Sequence, residues 1–379
     1  MMCIGRLSVA EKKLRILQVN KAYYPHIGGI ESLVRTYARE LQKRTDAEMQ
    51  VLVCQEKGKT VHEIIEGVPV TRAGSIGTYF SCPLSFSFFR YFRKMAKQAD
   101  VILFHMPFPL GDLACLLSGF QGKVVLAWHS DVVKQKKLLL FYKPILKRFL
   151  RRADVIITAT QGHIESSAFL PAYREKCKVI PYGLDTDKYH AAVRRPLLTE
   201  QLCDKNAVKV LFTGRLVYYK GVEVLLNAFA SVSGCELFLV GAGALEETLR
   251  EQAKGLEQKV HFLGVLSDDD LKAAFADCDI FVLPSVANSE AFGIVQLEAM
   301  VYGKPVINTA LPTGVPHVSL HEQTGLTVPP EDAEALAQAI QKLADDPVLR
   351  QTYGAAAAER VKQDFLEADV LERIYQTLK

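Results

Sequence analysis

Short apolar runs alternate along the chain with longer stretches in which apolar residues recur at helical spacing. A helix is expected over 32–41, and the apolar runs of the first half occupy residues 14–20, 49–53, 68–70, 101–104, 124–128, 155–159 and 178–181. Such runs are typical of strands buried on both faces, and strands that alternate with helices form parallel sheets. The first half is therefore predicted to be a doubly wound α/β domain.

The same pattern restarts after a break near residues 181–196, where Gly183, Asp185 and Pro196 indicate a connection. Further apolar runs occupy residues 208–212, 237–240, 260–264, 279–284 and 304–308, and helices are expected over 222–231, 333–345 and, in two pieces, 347–379. A chain of 379 residues is too long for one ordinary core. The prediction is two Rossmann-like domains, residues 1–190 and 191–357, with a C-terminal helix over about 358–379 that crosses back to the first domain.

The run at 279–284 leads into a stretch with two carboxylates, Glu290 and Glu298, on either side of a predicted helix start. The backbone N–H groups of Phe292, Gly293 and Ile294 are expected to be free there. A helix N-terminus after a strand can bind an anion, and carboxylates accept hydrogen bonds from hydroxyl groups. The stretch suits a ligand with phosphate at its centre and sugars on both sides, although a strand–helix unit with an incidental acidic cap would show the same pattern.

Two further loops follow predicted strands. Gly28 and Gly29 lie between the first strand and its helix, where they would let a ligand approach the backbone, as would a plain tight turn. Arg215 and Lys220 lie on the loop after the strand at 208–212. Two cations at a helix start are what a diphosphate needs, although a solvated loop also carries such residues.

Histidines follow two strands of the first domain, His105 and His129. A histidine at the carboxyl end of a parallel strand is expected to face a ligand crevice, and His129 is the stronger candidate of the two. Residues 132–153 hold eight Lys or Arg and no acid, interleaved with apolar residues. This pattern predicts either contact with an anionic membrane or a core-packed helix with a solvated basic face. The cations assigned to membrane or acceptor contact are Lys134, Lys136, Lys137, Lys147, Arg148 and Arg151.

Composition narrows the functional classes. The eight cysteines form no C-x-x-C pair, which argues against a zinc clip or a redox motif. Neither a signal peptide nor a membrane-spanning run is visible, so a cytoplasmic protein is expected, one that could also bind the inner face of the cytoplasmic membrane. A net charge of +4 gives no indication of nucleic-acid binding.

Two motifs favour other chemistry only weakly. Gly241 and Gly243 follow a strand as in a dinucleotide fingerprint, but Glu246 replaces the third glycine. Asp-x-Asp pairs at 185/187 and 277/279 could suggest a metal, yet each suits a local turn or strand entry better. No metal and no cofactor are therefore expected.

The Gly28-Gly29 loop, the Arg215 and Lys220 pair and the spacing of Glu290 and Glu298 together resemble the retaining glycosyltransferases of family 4. The resemblance implies the GT-B fold, in which two Rossmann-like domains face a central cleft, the first binding the acceptor and the second the nucleotide-sugar donor. The segments around His129 and Thr313 look like bacterial enzymes that build O-antigen or capsule polysaccharide, several of which use GDP-mannose.

The resemblance also implies roles for individual residues. Arg215 and Lys220 would hold the donor diphosphate with the amides of 292–295, Val295 included. Glu298 would bind the ribose, and Glu290 the transferred sugar. Gly28 and Gly29 would lie over the phosphate, His129 near the sugar or the reacting carbon, and Val265 against the base. His129, Glu290, Arg215 and Lys220 would form the catalytic set.

The function expected is therefore retaining, metal-independent hexosyl transfer, with mannose from GDP-mannose as the first choice, to a lipid-linked or oligosaccharide acceptor. A UDP-sugar donor on the same fold is the alternative. An NAD-dependent oxidoreductase and a non-catalytic module that binds a nucleotide sugar or a polysaccharide are more distant alternatives.

Overall fold

A computed structural model describes residues 12–26, 29–79, 82–131, 136–191 and 195–379, except for the side chains of 136–141. The chain divides into two compact units. The first contains residues up to Thr158, Ser167–Lys178 and Leu371–Lys379, and the second contains Ala159–Ser166 and Val179–Val370. The domain boundaries predicted from the sequence lie instead at residue 190 and near residue 358.

The strands are β1 Leu14–Val19, β2 Ala47–Cys54, β3 Val61–Ile65, β4 Val68–Ala73, β5 Gly77–Tyr79, β6 Cys82–Leu84, β7 Val101–Met106, β8 Lys123–Trp128, β9 Val155–Thr158, β10 Cys177–Val179, β11 Val208–Thr213, β12 Cys235–Val240, β13 Val260–Gly264, β14 Ile280–Leu283, β15 Val306–Thr309 and β16 Gly325–Val328. The helices are α1 Gly29–Gln42, α2 Phe86–Ala96, α3 Pro109–Ser118, α4 Lys136–Arg152, α5 Gln161–Ser166, α6 Thr186–His190, α7 Val222–Phe229, α8 Glu246–Gln252, α9 Asp268–Asp277, α10 Val295–Met300, α11 Val315–Val318, α12 Ala333–Asp345, α13 Pro347–Asp364 and α14 Glu367–Leu378.

The sheet of the first unit has the order β10-β9-β8-β7-β1-β2-β4-β3. Its central strands are parallel and buried on both faces: every residue of β7 is buried. The six strands from β4 to β9 have the 3-2-1-4-5-6 order of a Rossmann domain. The chain therefore reverses its winding direction between β1 and β7.

One edge of this sheet departs from the predicted parallel arrangement. Strand β3 pairs antiparallel with β4 through a two-residue turn in which Glu66 and Gly67 both have positive φ. Such a turn matches the twist of a hairpin. Strand β3 escaped the sequence analysis because its residues are half-exposed to exposed and not a continuous apolar run.

The sheet of the second unit has the order β13-β12-β11-β14-β15-β16, again 3-2-1-4-5-6. All the described pairings are parallel. Two apolar clusters cover the two faces of the sheet, one around Phe212, Leu225 and Leu239, the other around Phe281, Leu297 and Val361. The loops after β11 and β14 flank the point where the winding direction reverses, which is where open α/β sheets bind ligands.

The last nine residues of the chain pack within the first unit. Glu372 pairs with Arg44 at 2.6 Å, and the Arg44 guanidinium lies 3.8 Å from the centre of the Tyr375 ring. Tyr375 and Ile374 are fully buried. Helix α14 thus begins in the second unit and ends in the first.

No helix in the described parts of the chain combines the length and apolar character needed to cross a membrane.

Candidate functional site

The loops after β11 and β14 are held together by close backbone contacts that only glycine permits. Gly221 has φ of +68°, and a Cβ there would lie 1.9 Å from the carbonyl oxygen of Pro284. Val286 N donates to the carbonyl of Tyr219 at 2.9 Å. Lys220 of the first loop is thereby brought beside Glu290 of the second.

Gly241 and Gly243 have a packing role in the second unit. A Cβ on Gly241 would lie 2.0 Å from the carbonyl oxygen of Gly214, and one on Gly243 would lie 2.3 Å from that of Leu216. Both glycines let the loop after β12 pack against the loop after β11. The broken dinucleotide fingerprint is therefore explained without a dinucleotide.

Lys220 and Glu290 form the central ion pair of this site. Lys220 Nζ lies 2.5 Å from Glu290 Oε2, and the two side chains are 12% and 11% exposed. The Ser285 hydroxyl donates to the same carboxylate oxygen at 3.2 Å. Lys220 is assigned to the diphosphate and Glu290 to the transferred sugar. The ion pair shows that the Glu290 carboxylate fixes the position of the Lys220 ammonium group.

Arg215 is exposed, and its guanidinium donates to the Tyr219 hydroxyl at 2.8 Å. Among the described residues, no carboxylate pairs with it. Arg215 and Lys220 thus differ: one cation is held in a buried pair, whereas the other lies at the surface beside an aromatic ring.

Helix α10 begins later than the sequence predicted. Its first residue is Val295, so Glu290 lies five positions ahead of it and Glu298 is its fourth residue. The N–H groups of Phe292, Gly293 and Ile294, which lie between these two carboxylates, make no hydrogen bond to any described residue. Because α10 has only six residues, its dipole is short, and the free amides rather than the helix are the polar feature of this loop.

A buried amide network holds this loop. Gly293 has φ of +71°, and a Cβ there would lie 2.4 Å from Leu283. Gln296 Nε2 donates to the carbonyl of Phe292 at 3.1 Å, and Asn308 Nδ2 donates to Gln296 Oε1 at 2.8 Å. Neither amide was singled out from the sequence, because nothing in a single sequence distinguishes a buried glutamine from an exposed one.

Glu298 is hydrogen bonded within the second unit. Its carboxylate accepts from the Tyr189 hydroxyl at 2.8 Å. Burial raises the pKa of Glu298, opposed by the bond from Tyr189. The carboxylate is thus an acceptor of hydroxyl hydrogen bonds in the structure itself.

Val265, assigned to the base, follows β13 and is 78% exposed.

In the first unit, His129 follows β8 directly and is buried. Its Nε2 lies 2.9 Å from His105 Nδ1, and His105 Nε2 lies 2.9 Å from the amide nitrogen of Gln18. Burial, with His129 nearby, lowers the pKa of His105 well below its usual value, so His105 is neutral. Gln18 Nε2 also donates to the Val34 carbonyl, and an amide nitrogen can only donate, so His105 accepts on Nε2 and donates from Nδ1 to His129 Nε2.

His105 therefore positions His129, a role that its place at a strand end did not reveal. Gly29 is the first residue of α1, and a Cβ there would meet no atom of the described residues within 4 Å. Gly28 lies outside the described residues. The space that the described residues leave at Gly29 is compatible with a ligand that approaches this backbone.

The basic stretch forms α4, and its apolar residues Leu146, Phe149 and Leu150 are buried in the first unit. Lys147, Arg148 and Arg151 are exposed. Lys134 and the side chains of Lys136 and Lys137 lie outside the described residues. The described half is thus a core-packed helix with an exposed basic face, a geometry that both predicted alternatives share.

A third histidine, His163, was missed by the sequence analysis. It lies on α5, is 6% exposed, and its Nε2 has no hydrogen-bond partner in the part of the chain that the structure describes. Burial, together with His317, lowers its pKa to about 4. A Cβ on Gly314 would lie 2.9 Å from its ring, and Gly314 N donates to the carbonyl of Ala291 at 2.7 Å. His163 therefore packs against Gly314, whose N–H group is bonded to the Ala291 carbonyl at the start of the loop that carries the free amides.

Two family models match the sequence. "Glycosyltransferase Family 4" covers residues 27–188, and "Glycosyl transferases group 1" covers residues 197–360. The first match carries Gly28, Gly29 and His129, and the second carries Arg215, Lys220, Glu290 and Glu298. Both groups of candidate residues thus lie inside the matched regions.

Relatives and solved structures agree with these matches. The D-rhamnosyltransferase WbpZ of Pseudomonas aeruginosa is 36% identical over 93% of this chain and 92% of its own. The O-antigen chain mannosyltransferase C of Escherichia coli is 32% identical over 96% and 99%. The structure of Anabaena HepE in complex with UDP has a TM-score of 0.78, 23% identity and coverage of 96% and 99%. With two Rossmann-like units and these relatives, the chain belongs to the GT-B glycosyltransferases of the family 4 type.

Proposed function

We propose that the enzyme transfers a hexosyl residue, mannose from GDP-mannose, to a lipid-linked or oligosaccharide acceptor of a bacterial surface polysaccharide, with retention of configuration and without a metal. The observation that carries the proposal is the group formed by Lys220, Glu290, Arg215 and the free amides of 292–294 at the reversal point of the second sheet. Cations and free amides suit a diphosphate, and the carboxylate suits sugar hydroxyl groups.

The names of the relatives support mannose as the sugar. One is a mannosyltransferase of an O-antigen chain, and a more distant one, 29% identical, is named as GDP-mannose-dependent. The D-rhamnosyltransferase adds a competing sugar, since D-rhamnose is mannose without its 6-hydroxyl group. A site with a hydrogen-bonding partner for that hydroxyl would reject the deoxy sugar strongly, whereas an apolar site would not.

Transfer from a nucleotide sugar develops positive charge on the sugar and negative charge on the departing diphosphate. Arg215 and Lys220 would stabilise the diphosphate, as fixed charges aimed at the position where charge develops. Glu290 holds Lys220 in place before the donor binds and would also contact the transferred sugar. Retention would follow from attack on the face that the diphosphate leaves, with a diphosphate oxygen accepting the acceptor's proton.

The remaining roles complete the proposed site. Glu298 would exchange its Tyr189 bond for bonds from the ribose hydroxyl groups, and Val265 would contact the base. Gly28 and Gly29 would lie over the phosphate. His129, held by His105, would contact the sugar near the reacting carbon. The first unit would bind the acceptor, and the second the donor.

The proposal extends to the membrane, because a lipid-linked acceptor is present only there. Lys147, Arg148 and Arg151 give α4 an exposed basic face that suits anionic headgroups. Helix α2 provides a matched control, since Arg90, Arg93 and Lys94 are also exposed. Reversing the three α4 charges to Glu should abolish binding to anionic vesicles, whereas reversing the three on α2 should not. Equal binding by the wild type and the α4 variant, or loss only in the α2 variant, would reject this assignment.

The first experiment is thermal unfolding with GDP, GDP-mannose, GDP-D-rhamnose, UDP-sugars and NAD, each with and without EDTA. A ligand at a hundred times its Kd adds about 2.7 kcal/mol of stability, which is easily detected. We expect GDP-mannose to raise the Tm by an amount that EDTA does not change. A shift with UDP-sugars alone would retain the enzyme class and replace the donor, and a donor shift that EDTA abolishes would reject metal independence.

Anomeric analysis of the product by NMR then determines the stereochemistry. An α-linked product from the α-configured donor is expected, and a β-linked product would reject retention.

A further inference from the structure

A group of metal-ligand side chains lies in the second unit, away from the proposed donor site. The Cys203 thiol, a Glu236 carboxylate oxygen and a His261 ring nitrogen all lie within 4.8 Å of one another. In the described parts of the chain, no other set of three His, Cys, Asp or Glu side chains comes this close. Because Glu236 is the second residue of β12, the group lies at the amino ends of the strands, opposite the Arg215 and Glu290 loops.

Strand register explains how the sequence assembles this group. Phe238 of β12 pairs with His261 of β13, and their rings stack with centroids 4.6 Å apart. Glu236 lies two residues before Phe238, so its side chain is on the same face of the sheet as His261. Its Oε2 lies 2.6 Å from His261 Nε2.

Backbone hydrogen bonds bring Cys203 to the same carboxylate. Cys203 N donates to Glu236 Oε2 at 3.1 Å, and Asp204 N donates to Oε1 at 2.7 Å. Glu236 is only 2% exposed, whereas Cys203 is exposed. A buried carboxylate is thus fixed by the loop that carries the thiol, and the thiol itself can rotate towards it.

Open space adjoins the group. A cavity of about 540 Å³ is lined by Cys203, Glu236 and neighbouring residues such as Asp204, Gly234 and Lys259. A metal bound by three protein ligands needs room for a fourth, commonly water, and this cavity provides it.

We propose that Cys203, Glu236 and His261 bind one divalent transition-metal ion, with Zn²⁺ as the best match. Thiolate, imidazole and carboxylate are the three ligand types that zinc uses, and hard ions such as Mg²⁺ would avoid the sulfur. Tetrahedral zinc places its ligand atoms about 3.3–3.6 Å apart, so the thiol must move inward and the bond between Glu236 and His261 must lengthen by under about 1 Å.

This ion has no part in glycosyl transfer, because it lies at the opposite edge of the sheet. It would connect the segment around Cys203 to β12 and β13, and binding would release the thiol proton, so affinity should rise with pH. The three ligands come from separate parts of the chain, so the spacing of the cysteines alone does not indicate this site.

The test is titration of the chelator-stripped full-length protein with Co²⁺, followed by competition with Zn²⁺. We expect one equivalent of Co²⁺ to give a thiolate-to-cobalt charge-transfer band that Zn²⁺ abolishes. Cys203→Ser should remove the band and weaken Zn²⁺ binding at least tenfold. Cys177→Ser is the matched control, since the Cys177 thiol is half-buried and contacts only the Tyr173 carbonyl in the described hydrogen bonds.

His261→Gln provides a second variant with an imidazole removed and the thiol retained, and it should weaken Zn²⁺ binding while donor-induced stabilisation is unchanged. The proposal is overturned if the wild type shows no stoichiometric band, or if the band persists in Cys203→Ser. Failure of the donor proposal would alter none of these spectra, so the two can be judged separately.

Discussion

At the scale of single residues, the pairing of Lys220 with Glu290 means that an alanine substitution at Lys220 changes both the stability of the fold and the rate of transfer. Removing one member of a buried ion pair leaves an uncompensated charge, which costs about 3–5 kcal/mol. Arg215 is exposed and has no carboxylate partner among the described residues, so its removal should leave the free energy of unfolding nearly unchanged.

We therefore expect Lys220→Ala to lower both stability and transfer, and Arg215→Ala to lower transfer alone, by roughly 10–100-fold for a lost charge-assisted bond. Lys220→Met combined with Glu290→Gln should recover most of the stability and none of the transfer. Urea denaturation and initial-rate assays distinguish the two effects. A double variant as unstable as Lys220→Ala would show that the cost of Lys220→Ala does not come from the uncompensated charge on Glu290.

His163 gives a prediction for pH. Its folded pKa of about 4 lies below the ordinary value of about 6.5, so between these values the unfolded chain binds more protons than the folded one. The contribution of neutral His163 is thus fully present above pH 6.5 and lost as the pH falls to 4, by at most about 3 kcal/mol.

His163→Leu removes the titrating group, whose Nε2 is buried near His317 and has no partner among the described residues. The free energy of unfolding of this variant should fall less than that of the wild type between pH 7 and pH 4.5. Parallel curves for the two proteins would contradict the assigned pKa.

At the scale of elements, the contact between the loops after β11 and β12 depends on Gly241. Its φ is +131°, and a Cβ would lie 2.0 Å from the Gly214 carbonyl oxygen, on the loop that carries Arg215. Gly255 also has positive φ, at +86°, but a Cβ there would meet no described atom within 4 Å. An alanine would adopt an unfavourable φ at either position, but only at Gly241 would its Cβ also clash with neighbouring backbone.

Gly255→Ala should cost about 1 kcal/mol, the penalty of a left-handed conformation. Gly241→Ala should cost at least about 2 kcal/mol more, because backbone must also move, and it should weaken donor binding through Arg215. Equal costs in denaturant titrations of the two variants would mean that the loops adjust freely.

The elements were also what the sequence predicted best. Long apolar runs such as those of β7, β8 and β14 are buried on both faces, so their composition alone identified them. Strand β3 and the late start of α10 escaped, because each depends on a turn or a tertiary contact rather than on periodicity. In the site, charged residues after strand ends were recognisable, whereas His105, Gln296 and Asn308 gain their roles only from neighbours distant in sequence.

At the scale of the whole molecule, the return of residues 371–379 to the first unit predicts how that unit is stabilised. Tyr375 is fully buried, and its ring stacks against Arg44. In the described hydrogen bonds its hydroxyl makes a long 3.4 Å bond to the Asp46 carbonyl, and it also interacts with the nearby Asp46 carboxylate, whose pKa it lowers. The buried ring therefore provides most of the stabilisation, and the hydroxyl adds a smaller part.

Tyr375→Ala should lower the stability of the first unit by about 3–5 kcal/mol, whereas Tyr375→Phe should change it by under about 1 kcal/mol. Hydrogen exchange resolved by peptide would assign the loss to residues 12–158. Undiminished protection there in Tyr375→Ala would show that the terminal helix contributes little to the first unit.

The division of the chain has a consequence for biosynthesis. The second unit, which ends at Val370, is fully translated before the segment that completes the first unit. The first Rossmann sheet is therefore synthesised well before residues 371–379, and the apolar surface that Ile374 and Tyr375 cover in the folded protein is exposed until then. During synthesis we expect chaperones to bind that surface, and we expect the binding to end when residues 371–379 pack against it.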